Sequence, residues 1–282
     1  MIQKIGIIGG TGMMGRMFQS AWEAQGKEVR VTGSKDLDKE KALVMESELV
    51  ILSVPIDKTA EVVRRISPWL TSGHLLSDFT SVKSPVVPVM AKTEAQVIAC
   101  HPMFGQVQSL KGHNVILMPL DGGGKFLHQY KRLYEDLGLK VTVLADWTKH
   151  DESMSVIQGL MHFIHIVFSR TLAKRQVDLE TVLQICSPVY QANFAFACRI
   201  LMRDPHLYTR ILMDNPQNLS VLSDFLAEAQ GHLKLIDKGD EKTFENHFLE
   251  TREFLGDLGE VFSAQSDYLV EKLKEYPPAP EK

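Results

Sequence analysis

One short segment near the N-terminus constrains the fold more than any other, the turn Gly10-Thr11-Gly12-Met13-Met14-Gly15. It follows an apolar run, Ile5–Gly9, and it precedes a stretch of helical periodicity from Met14 to Gln25. Glycines spaced as GxGxxG between a strand and a helix allow a tight turn, close approach to a pyrophosphate and close helix packing. The free N–H groups of the first helical turn favour phosphate. The segment therefore predicts a dinucleotide site, with a glycine turn that binds no nucleotide as the alternative.

The chain beyond this turn alternates short apolar runs with helical segments as far as Ala145. Seven runs are predicted as strands: Ile5–Gly9, Glu28–Thr32, Leu49–Val54, His74–Phe79, Gln96–Cys100, Asn114–Met118 and Lys140–Ala145. Three of the intervening segments are predicted as helices: Met14–Gln25, Thr59–Leu70 and Lys125–Leu137. This alternation is typical of right-handed βαβ units, so we expect the α/β class, with a Rossmann-type doubly wound parallel sheet.

The pattern changes near Ala145, and from Asp151 to about Lys274 it is helical throughout. Pro188, Pro205 and Pro216 each follow a plausible helix end or open a new helix, since proline suits a first turn. We therefore expect a Rossmann-type domain over residues 1–148, an all-helical domain over 149–275 and a disordered tail over 276–282.

Two long helices are predicted at Leu219–Lys238 and Glu241–Lys274. They carry more apolar surface than one small domain readily hides, and exposed apolar surface of that size marks an interface. We expect the helical domain to form a homodimer.

Composition excludes several classes of partner. The net charge of −4 over 282 residues gives no electrostatic case for nucleic acid or a membrane surface. Cys100, Cys186 and Cys198 lack metal-ligand spacing, so we expect no metal site and a reducing compartment. The N-terminus lacks the layout of a signal peptide, and no apolar run approaches the roughly 18 residues of a membrane helix. These features predict a soluble, cytoplasmic protein.

The end of the second strand bears on the choice of dinucleotide. NAD-binding proteins usually carry an acid there for the ribose hydroxyls, whereas this chain reads Thr32-Gly33-Ser34-Lys35 and its first acid is Asp36. The Ser34 hydroxyl and the Lys35 ammonium would suit a 2′-phosphate. The segment favours NADP, and an ordinary polar turn that accepts NAD is the alternative.

The carboxyl ends of the middle strands are the expected place for a ligand. The third strand should end in Ser53-Val54-Pro55, which should border the cofactor; Ser81 lies at the end of the fourth strand and His101 at the end of the fifth. His101 is the candidate acid/base because imidazole titrates near neutral pH. Ser81 is a candidate to hydrogen-bond a substrate hydroxyl or the imidazole. A strand-end histidine bonded to backbone is the alternative for His101.

The helical half contains polar groups on apolar helices. At 100° per residue, six polar residues lie along one face of the same helix and form a polar stripe: Asp151, Ser155, Gln158, His162, His165 and Ser169. Their helix is otherwise apolar and is expected to be buried, so the stripe should line an active site or meet a partner helix. Arg199 ends the apolar run Ala192–Cys198 and should need either a substrate anion or a structural acid.

The motif His101-Pro102-Met103-Phe104-Gly105, with Thr80-Ser81-Val82-Lys83 and the glycine turn before it, resembles the prephenate dehydrogenases of tyrosine biosynthesis. The resemblance covers essentially the whole chain. It continues through His150-Asp151, Gln158–Phe163, Ser187–Tyr190, Asp204–Tyr208, Ile211–Asp214 and Asn218-Leu219.

This resemblance implies oxidative decarboxylation of prephenate to 4-hydroxyphenylpyruvate, with hydride transfer to a nicotinamide cofactor. It implies that His101 accepts the proton of the ring hydroxyl, and that Ser81 orients that hydroxyl. Arg199 would bind a substrate carboxylate and His162 would lie in the substrate pocket. Tyr208 and Lys83 are further candidates for pocket or supporting roles.

Two departures from relatives bear on the substrate. Gln191 stands where relatives often have an arginine, and Gln106-Val107 follows the motif where they have proline and an acid. An acid there would suit the amino group of arogenate, so its absence favours prephenate. From the chain length we expect neither a fused chorismate mutase nor a regulatory domain.

Two other classes remain as alternatives. A hydroxyacid or imine dehydrogenase usually places a lysine on the inter-domain helix, where this chain has His162 and His165. A redox sensor that binds the cofactor without turnover would not need both His101 and Ser81.

Overall fold

The computed structural model describes residues 1–120 and 124–276. Two compact units are present in it. The first comprises Met1–Ile157 with Thr209–Gln217, and the second comprises Gln158–Tyr208 with the chain from Asn218 onward. The tail predicted at 276–282 lies outside the described residues except for Tyr276.

The first unit is built on one seven-stranded sheet in the order β2-β1-β3-β4-β5-β6-β7. The strands are β1 (Lys4–Ile8), β2 (Glu28–Thr32), β3 (Leu49–Leu52), β4 (Leu75–Asp78), β5 (Gln96–Pro102), β6 (Asn114–Pro119) and β7 (Lys140–Val143). All seven predicted strands are confirmed. His101 lies within β5 rather than after it, because this strand runs two residues beyond its predicted end.

The helices occupy the connections and the whole C-terminal half. They are α1 (Met13–Glu23), α2 (Glu40–Glu46), α3 (Ile56–Ile66), α4 (Val87–Met90), α5 (Gly124–Glu135), α6 (Trp147–Met154), α7 (Met161–Lys174), α8 (Leu179–Ile185), α9 (Pro188–Leu201), α10 (Pro205–Asp214), α11 (Asn218–Lys238) and α12 (Glu241–Lys274). Short 3-10 turns lie at Leu37–Lys39 and Ser67–Trp69. As predicted, Pro188 and Pro205 each open a helix.

The sheet is mixed, which corrects the expectation of a wholly parallel one. Strands β1 to β5 are parallel, but β6 runs antiparallel to β5, with His101 opposite Ile116. A parallel connection needs a crossover of a dozen or more residues, usually a helix, and the link over 103–113 contains none. Only β1 to β5 therefore direct their carboxyl ends to the same edge.

Two apolar clusters cover the opposite faces of the sheet, as doubly wound packing requires. Ile7 and Ile51 pack with Phe18 and Trp22 of α1 on one face. The neighbouring residues Ile8 and Leu52 contribute to the other cluster, together with side chains of α3. Alternate residues of one strand point to opposite faces, so continuously apolar strands such as β3 can serve both clusters.

Within its described residues, the second unit contains helices and no strand. Helix α9 packs against α7 and α12, and α12 also packs against α11. At Gly256, α12 has a kink where the backbone leaves the helical region at φ 50° and ψ −141°. Both long C-terminal helices were predicted from the sequence, but the kink between the two parts of α12 was not.

The expectation that the helices of this half are buried is wrong for the single chain. No residue of α7 is buried, and α9 buries only Ala197 and Ile200. A helix apolar nearly all round needs a covering surface, and one chain does not supply it. The continuous run Trp147–Lys174 is long and apolar enough to cross a membrane, which corrects the expectation that no apolar run approaches that length. One such helix is weak evidence for a membrane span.

This run also contains a π-helical segment at Ser155–Leu160, between α6 and α7. A π turn holds more residues than an α turn, so the stripe calculated at 100° per residue does not continue through it. Asp151 and Ser155 are buried in the first unit, whereas His162 and His165 belong to the second. The predicted stripe is therefore interrupted by this segment and has members in both units.

Candidate active site

The glycine turn follows β1 and leads directly into α1, with Gly12 as the N-cap residue. Gly9 adopts the left-handed conformation at φ 79°, so Gly9, rather than Gly10, makes the sharp turn. A Cβ on Gly15 would lie 2.5 Å from the Gly10 Cα, which excludes larger side chains from that contact. The N–H groups of Met13 and Met14 open the helix and have no carbonyl partner within it. This cradle fits a pyrophosphate.

The segment after β3 adjoins this cradle, as predicted for Ser53-Val54-Pro55. The Ser53 N–H donates to the Ile8 carbonyl at 2.8 Å. A Cβ on Gly9 would lie 2.4 Å from the Ser53 carbonyl oxygen and 2.7 Å from Val54 Cγ1. Pro55 caps α3 and is exposed. These residues thus border the glycine turn at the sheet edge where β1 and β3 end. Their contact with the cofactor stays a prediction.

His101 and His150 form the centre of a buried polar chain in the first unit. His101 Nδ1 lies 2.8 Å from His150 Nε2, and His150 Nδ1 lies 2.8 Å from Asp151 Oδ1. His101 is 2% exposed and His150 is 0% exposed. Asp151 also accepts hydrogen bonds from the Lys83 and Ser84 N–H groups and from the Ser84 hydroxyl.

These contacts decide which nitrogen carries each proton. An ionised Asp151 only accepts hydrogen bonds, so His150 must donate from Nδ1. A neutral His150 then accepts at Nε2, and His101 must donate from Nδ1. The lone pair of His101 is consequently on Nε2, the form that a general base requires. The carboxylate sets the tautomer of His101 through His150.

The pKa values agree with this assignment. Burial, followed by the electrostatic effects of His150 and Lys83, holds the pKa of His101 well below its ordinary value. Burial also lowers the pKa of His150, against the opposing hydrogen bond to Asp151. Burial raises the pKa of Asp151, but hydrogen bonds from His150, Ser84 and the backbone outweigh it and lower this pKa overall. Both imidazoles are neutral and the carboxylate is ionised at pH 7.

Lys83 joins the ends of β4 and β5 beneath this chain. Its fully buried ammonium donates to Asp78 Oδ2 at 2.5 Å and to the Cys100 carbonyl at 2.7 Å, next to His101. A further contact to Thr80 Oγ1 at 3.4 Å accounts for its third donor. With three donors engaged, Lys83 is suited to positioning the loop, and the geometry does not favour the predicted contact with substrate.

Ser81 lies half-buried in the loop that Lys83 anchors, just beyond β4. This loop is fixed to Asp151 through Lys83 and Ser84, so the structure holds Ser81 and His101 on one connected framework. The parallel strands β4 and β5 end at the same edge of the sheet, as the sequence predicted. The catalytic roles of both residues stay predictions.

The predicted substrate residues of the helical half lie in the second unit. His162 packs edge to face on Tyr208, with ring centroids 5.0 Å apart. His162 Nδ1 is buried and has no hydrogen-bond partner in the described part of the chain. Burial, with a smaller effect of His165, lowers the pKa of His162 to about 4. A neutral imidazole with an unsatisfied nitrogen is suited to a polar ligand.

Arg199 also lies in the second unit, but it is exposed, which corrects the expectation of a buried guanidinium. Arg199 is exposed for the same reason that no residue of α7 is buried: the apolar helix α9 is not fully covered by other parts of the single chain. Arg199 has no ion pair among residues 1–120 and 124–276. The structural acid considered from the sequence is therefore not found there, and Arg199 is available to an anion.

Sequence reasoning missed the role of His150 and placed Asp151 only in the helical stripe. His150 is next to Asp151 in the chain, and both residues were part of the motif that carried the resemblance. A His-Asp pair early in a helix could have suggested a partner for His101. The 2.8 Å contact itself joins residues 49 apart, and no local periodicity indicates it.

The phosphate cradle and the oriented histidine on one sheet edge define a class, a nicotinamide-dependent dehydrogenase with a Rossmann-type domain. Comparison with known proteins identifies the family within that class. Residues 13–143 match "Prephenate dehydrogenase, nucleotide-binding domain", and residues 146–250 match "Prephenate dehydrogenase, dimerization domain". The chain belongs to the prephenate dehydrogenase family and is an oxidoreductase associated with tyrosine biosynthesis.

Individual relatives agree with this family. The chain is 30% identical over 275 residues to the T-protein of Haemophilus influenzae, covering 96% of the chain and 72% of the relative. It is 31% identical over 288 residues to a probable arogenate/prephenate dehydrogenase of Methanocaldococcus jannaschii, covering 94% of the chain and 64% of the relative.

A solved structure has the same fold. It is the prephenate dehydrogenase of A. aeolicus in complex with hydroxyphenyl propionate and NAD+, with a TM-score of 0.71 and 22% identity. The match covers 92% of this chain and 99% of that chain.

Proposed function

We propose that the protein oxidises and decarboxylates prephenate to 4-hydroxyphenylpyruvate, with His101 as the base. The observation that supports this most directly is the chain from Asp151 through His150 to His101. It fixes a neutral imidazole with its lone pair on Nε2, at the sheet edge where the nicotinamide of a Rossmann-type domain is expected. This arrangement suits a reaction that must remove one hydroxyl proton.

Each group has a separate role in the proposed reaction. The nicotinamide cofactor, when bound, accepts the hydride from the ring carbon that bears the hydroxyl. His101 Nε2 takes the hydroxyl proton as the hydride leaves, and Ser81 orients the hydroxyl. The ring carboxylate departs as CO2, its bonding electrons complete the aromatic ring, and the proton returns from His101 to the phenolic oxygen. Aromatisation makes the step favourable, so the protein chiefly supplies orientation and one proton transfer.

Two features of the second unit support a substrate with carboxylates. The exposed guanidinium of Arg199 has the charge and planar donors that bind a carboxylate in two places. The unsatisfied His162 Nδ1 beside Tyr208 offers a polar contact. We assign Arg199, His162 and Tyr208 to substrate binding on this basis. The second candidate substrate is arogenate, which is disfavoured by Gln106-Val107 in place of the proline and acid of relatives.

We further propose a cytoplasmic homodimer formed by the second unit. Large apolar side chains of α12 are exposed, among them Phe254 at 87% and Leu258 at 62%. A monomer rarely exposes so much contiguous apolar surface. The domain that matches residues 146–250 is described as a dimerization domain, so a second copy of the chain is the partner that this surface suits.

One assay tests the proposed activity. Purified protein is mixed with prephenate or arogenate and with NAD+ or NADP+, while reduced-nicotinamide absorbance and released CO2 are followed. We expect equal amounts of reduced cofactor and CO2 with prephenate, and slower turnover with arogenate. Cofactor binding without turnover of either substrate would contradict the proposal.

Light scattering on the same sample tests the proposed homodimer.

A further inference from the structure

The end of β2 lacks the acid that NAD-binding proteins usually carry there. Its last residue is Thr32, and Gly33 occupies the next position. A Cβ on Gly33 would lie 2.7 Å from Thr11 Oγ1 and 3.1 Å from Thr11 Cγ2, in the glycine turn. A side chain at residue 33 would therefore have to displace the side chain of Thr11, whereas glycine leaves it in place.

Asp36 reaches the same place from three residues further along the chain. The Asp36 N–H donates to the Gly33 carbonyl at 3.1 Å, which closes a turn. Asp36 Oδ2 accepts the Gly33 N–H at 3.0 Å and lies 3.5 Å from the position of a Cβ on Gly33. The carboxylate is thus held over Gly33, where the side chain of an acid at the strand end would begin.

The charges around this carboxylate oppose a phosphate. The hydrogen bond from Lys39, followed by the one from Gly33, lowers the pKa of Asp36, so the group is ionised at neutral pH. Lys39 Nζ lies 2.9 Å from Asp36 Oδ1, so its charge is already paired. Each carboxylate oxygen can accept a further hydrogen bond, which suits two adjacent hydroxyls. A 2′-phosphate in this place would lie against the Asp36 carboxylate and compete with it for Lys39, with the side chains of Ser34 and Lys35 as its other partners.

We propose that Asp36 selects NAD(H) over NADP(H) by accepting hydrogen bonds from the 2′- and 3′-hydroxyls of the adenosine ribose. This reverses the preference for NADP drawn from Thr32-Gly33-Ser34-Lys35, because the acid missing from the strand end is supplied by the folded-back turn. The inference rests on the proposed function only in requiring a dinucleotide in the glycine turn.

Direct binding tests the proposal without turnover. The full-length protein is titrated with NADH and with NADPH, and dissociation constants are taken from nicotinamide fluorescence and calorimetry. We expect NADH to bind at least about tenfold more tightly than NADPH. Asp36→Asn should weaken NADH binding about tenfold while NADPH binding stays equal or improves. Asp38→Asn removes an exposed carboxylate from the same segment and should match the unchanged protein.

Several results would overturn the proposal. These are tighter binding of NADPH by the unchanged protein, an unchanged NADH affinity in Asp36→Asn, or equal weakening of both cofactors in that variant. The melting temperature of Asp36→Asn without ligand separates loss of the turn from loss of ribose contacts. Tight, Asp36-dependent NADH binding without prephenate turnover would contradict the proposed function but support this inference.

Discussion

His101 Nδ1 lies 2.8 Å from His150 Nε2, and both imidazoles are buried. Through this contact His150 transmits the constraint of the Asp151 carboxylate to the proposed base, which its sequence position does not reveal. In metal sites and proton-transfer sites, such outer partners fix the ring orientation and tautomer of the reacting histidine. The same chain ties the β4–α4 loop, with Ser81, to the framework of β5.

Replacing His101 by asparagine should lower kcat by about 10²–10⁴-fold, because the group that accepts the hydroxyl proton is lost. The dissociation constant for NADH should stay nearly unchanged, since His101 is not part of the phosphate cradle. Steady-state turnover of prephenate and fluorescence titration measure the two quantities. Undiminished turnover would exclude His101 as the base. His128→Gln alters an exposed histidine of the same unit and is the matched control.

Replacing His150 by glutamine should lower kcat about tenfold with a small change in KM, because the base remains but its tautomer and orientation are less constrained. His150 helps to lower the pKa of His101, although burial is the larger cause. Its removal should therefore move the acidic limb of the pH profile of kcat/KM to higher pH. In the unchanged protein this limb should lie below pH 6.5. A variant with reduced kcat and an unshifted limb would point to a purely structural role.

Asp151→Asn should reduce stability as well as activity. The carboxylate accepts hydrogen bonds from the Lys83 and Ser84 backbone and from His150, and an amide cannot accept all of them. Loss of a charged acceptor in a buried network costs about 1–3 kcal/mol of unfolding free energy. Thermal and urea unfolding measure the loss. Glu152→Gln, at the exposed neighbouring position, should unfold like the unchanged protein.

Stability should fall as the pH decreases from 6.5 towards 4. His101 and His162 have pKa values lowered by burial, that of His162 to about 4, so the unfolded chain binds more protons in this window. Stability consequently rises with pH across it and is lost towards acid. His162→Gln should make the melting temperature less dependent on pH between 6.5 and 4. An unaltered pH dependence would show that His162 is not neutral in the folded state.

Arg199→Gln should raise KM for prephenate about tenfold or more with little change in kcat, because the guanidinium is proposed to hold a substrate carboxylate. Arg203→Gln removes a nearby exposed guanidinium and serves as the control. An unchanged KM in the Arg199 variant, or an equal rise in both variants, would contradict the assignment.

The sequence by itself determined the α/β domain, all seven strands, the glycine turn between β1 and α1 and the edge on which His101 and Ser81 lie. These features follow from local chemistry, since apolar runs, glycine spacing and proline positions act within a few residues. Patterning also indicated the long helices of the second unit.

Tertiary structure decided the remaining features. It reversed β6 relative to β5, divided the polar stripe at a π-helical segment and left Arg199 exposed. It also brought His150 to His101 and folded Asp36 back over Gly33. Each of these features depends on contacts between segments or on which surfaces are buried. Hydrophobic periodicity along the chain indicates neither. The sequence thus established which chemistry is present, and the fold established which groups act on one another.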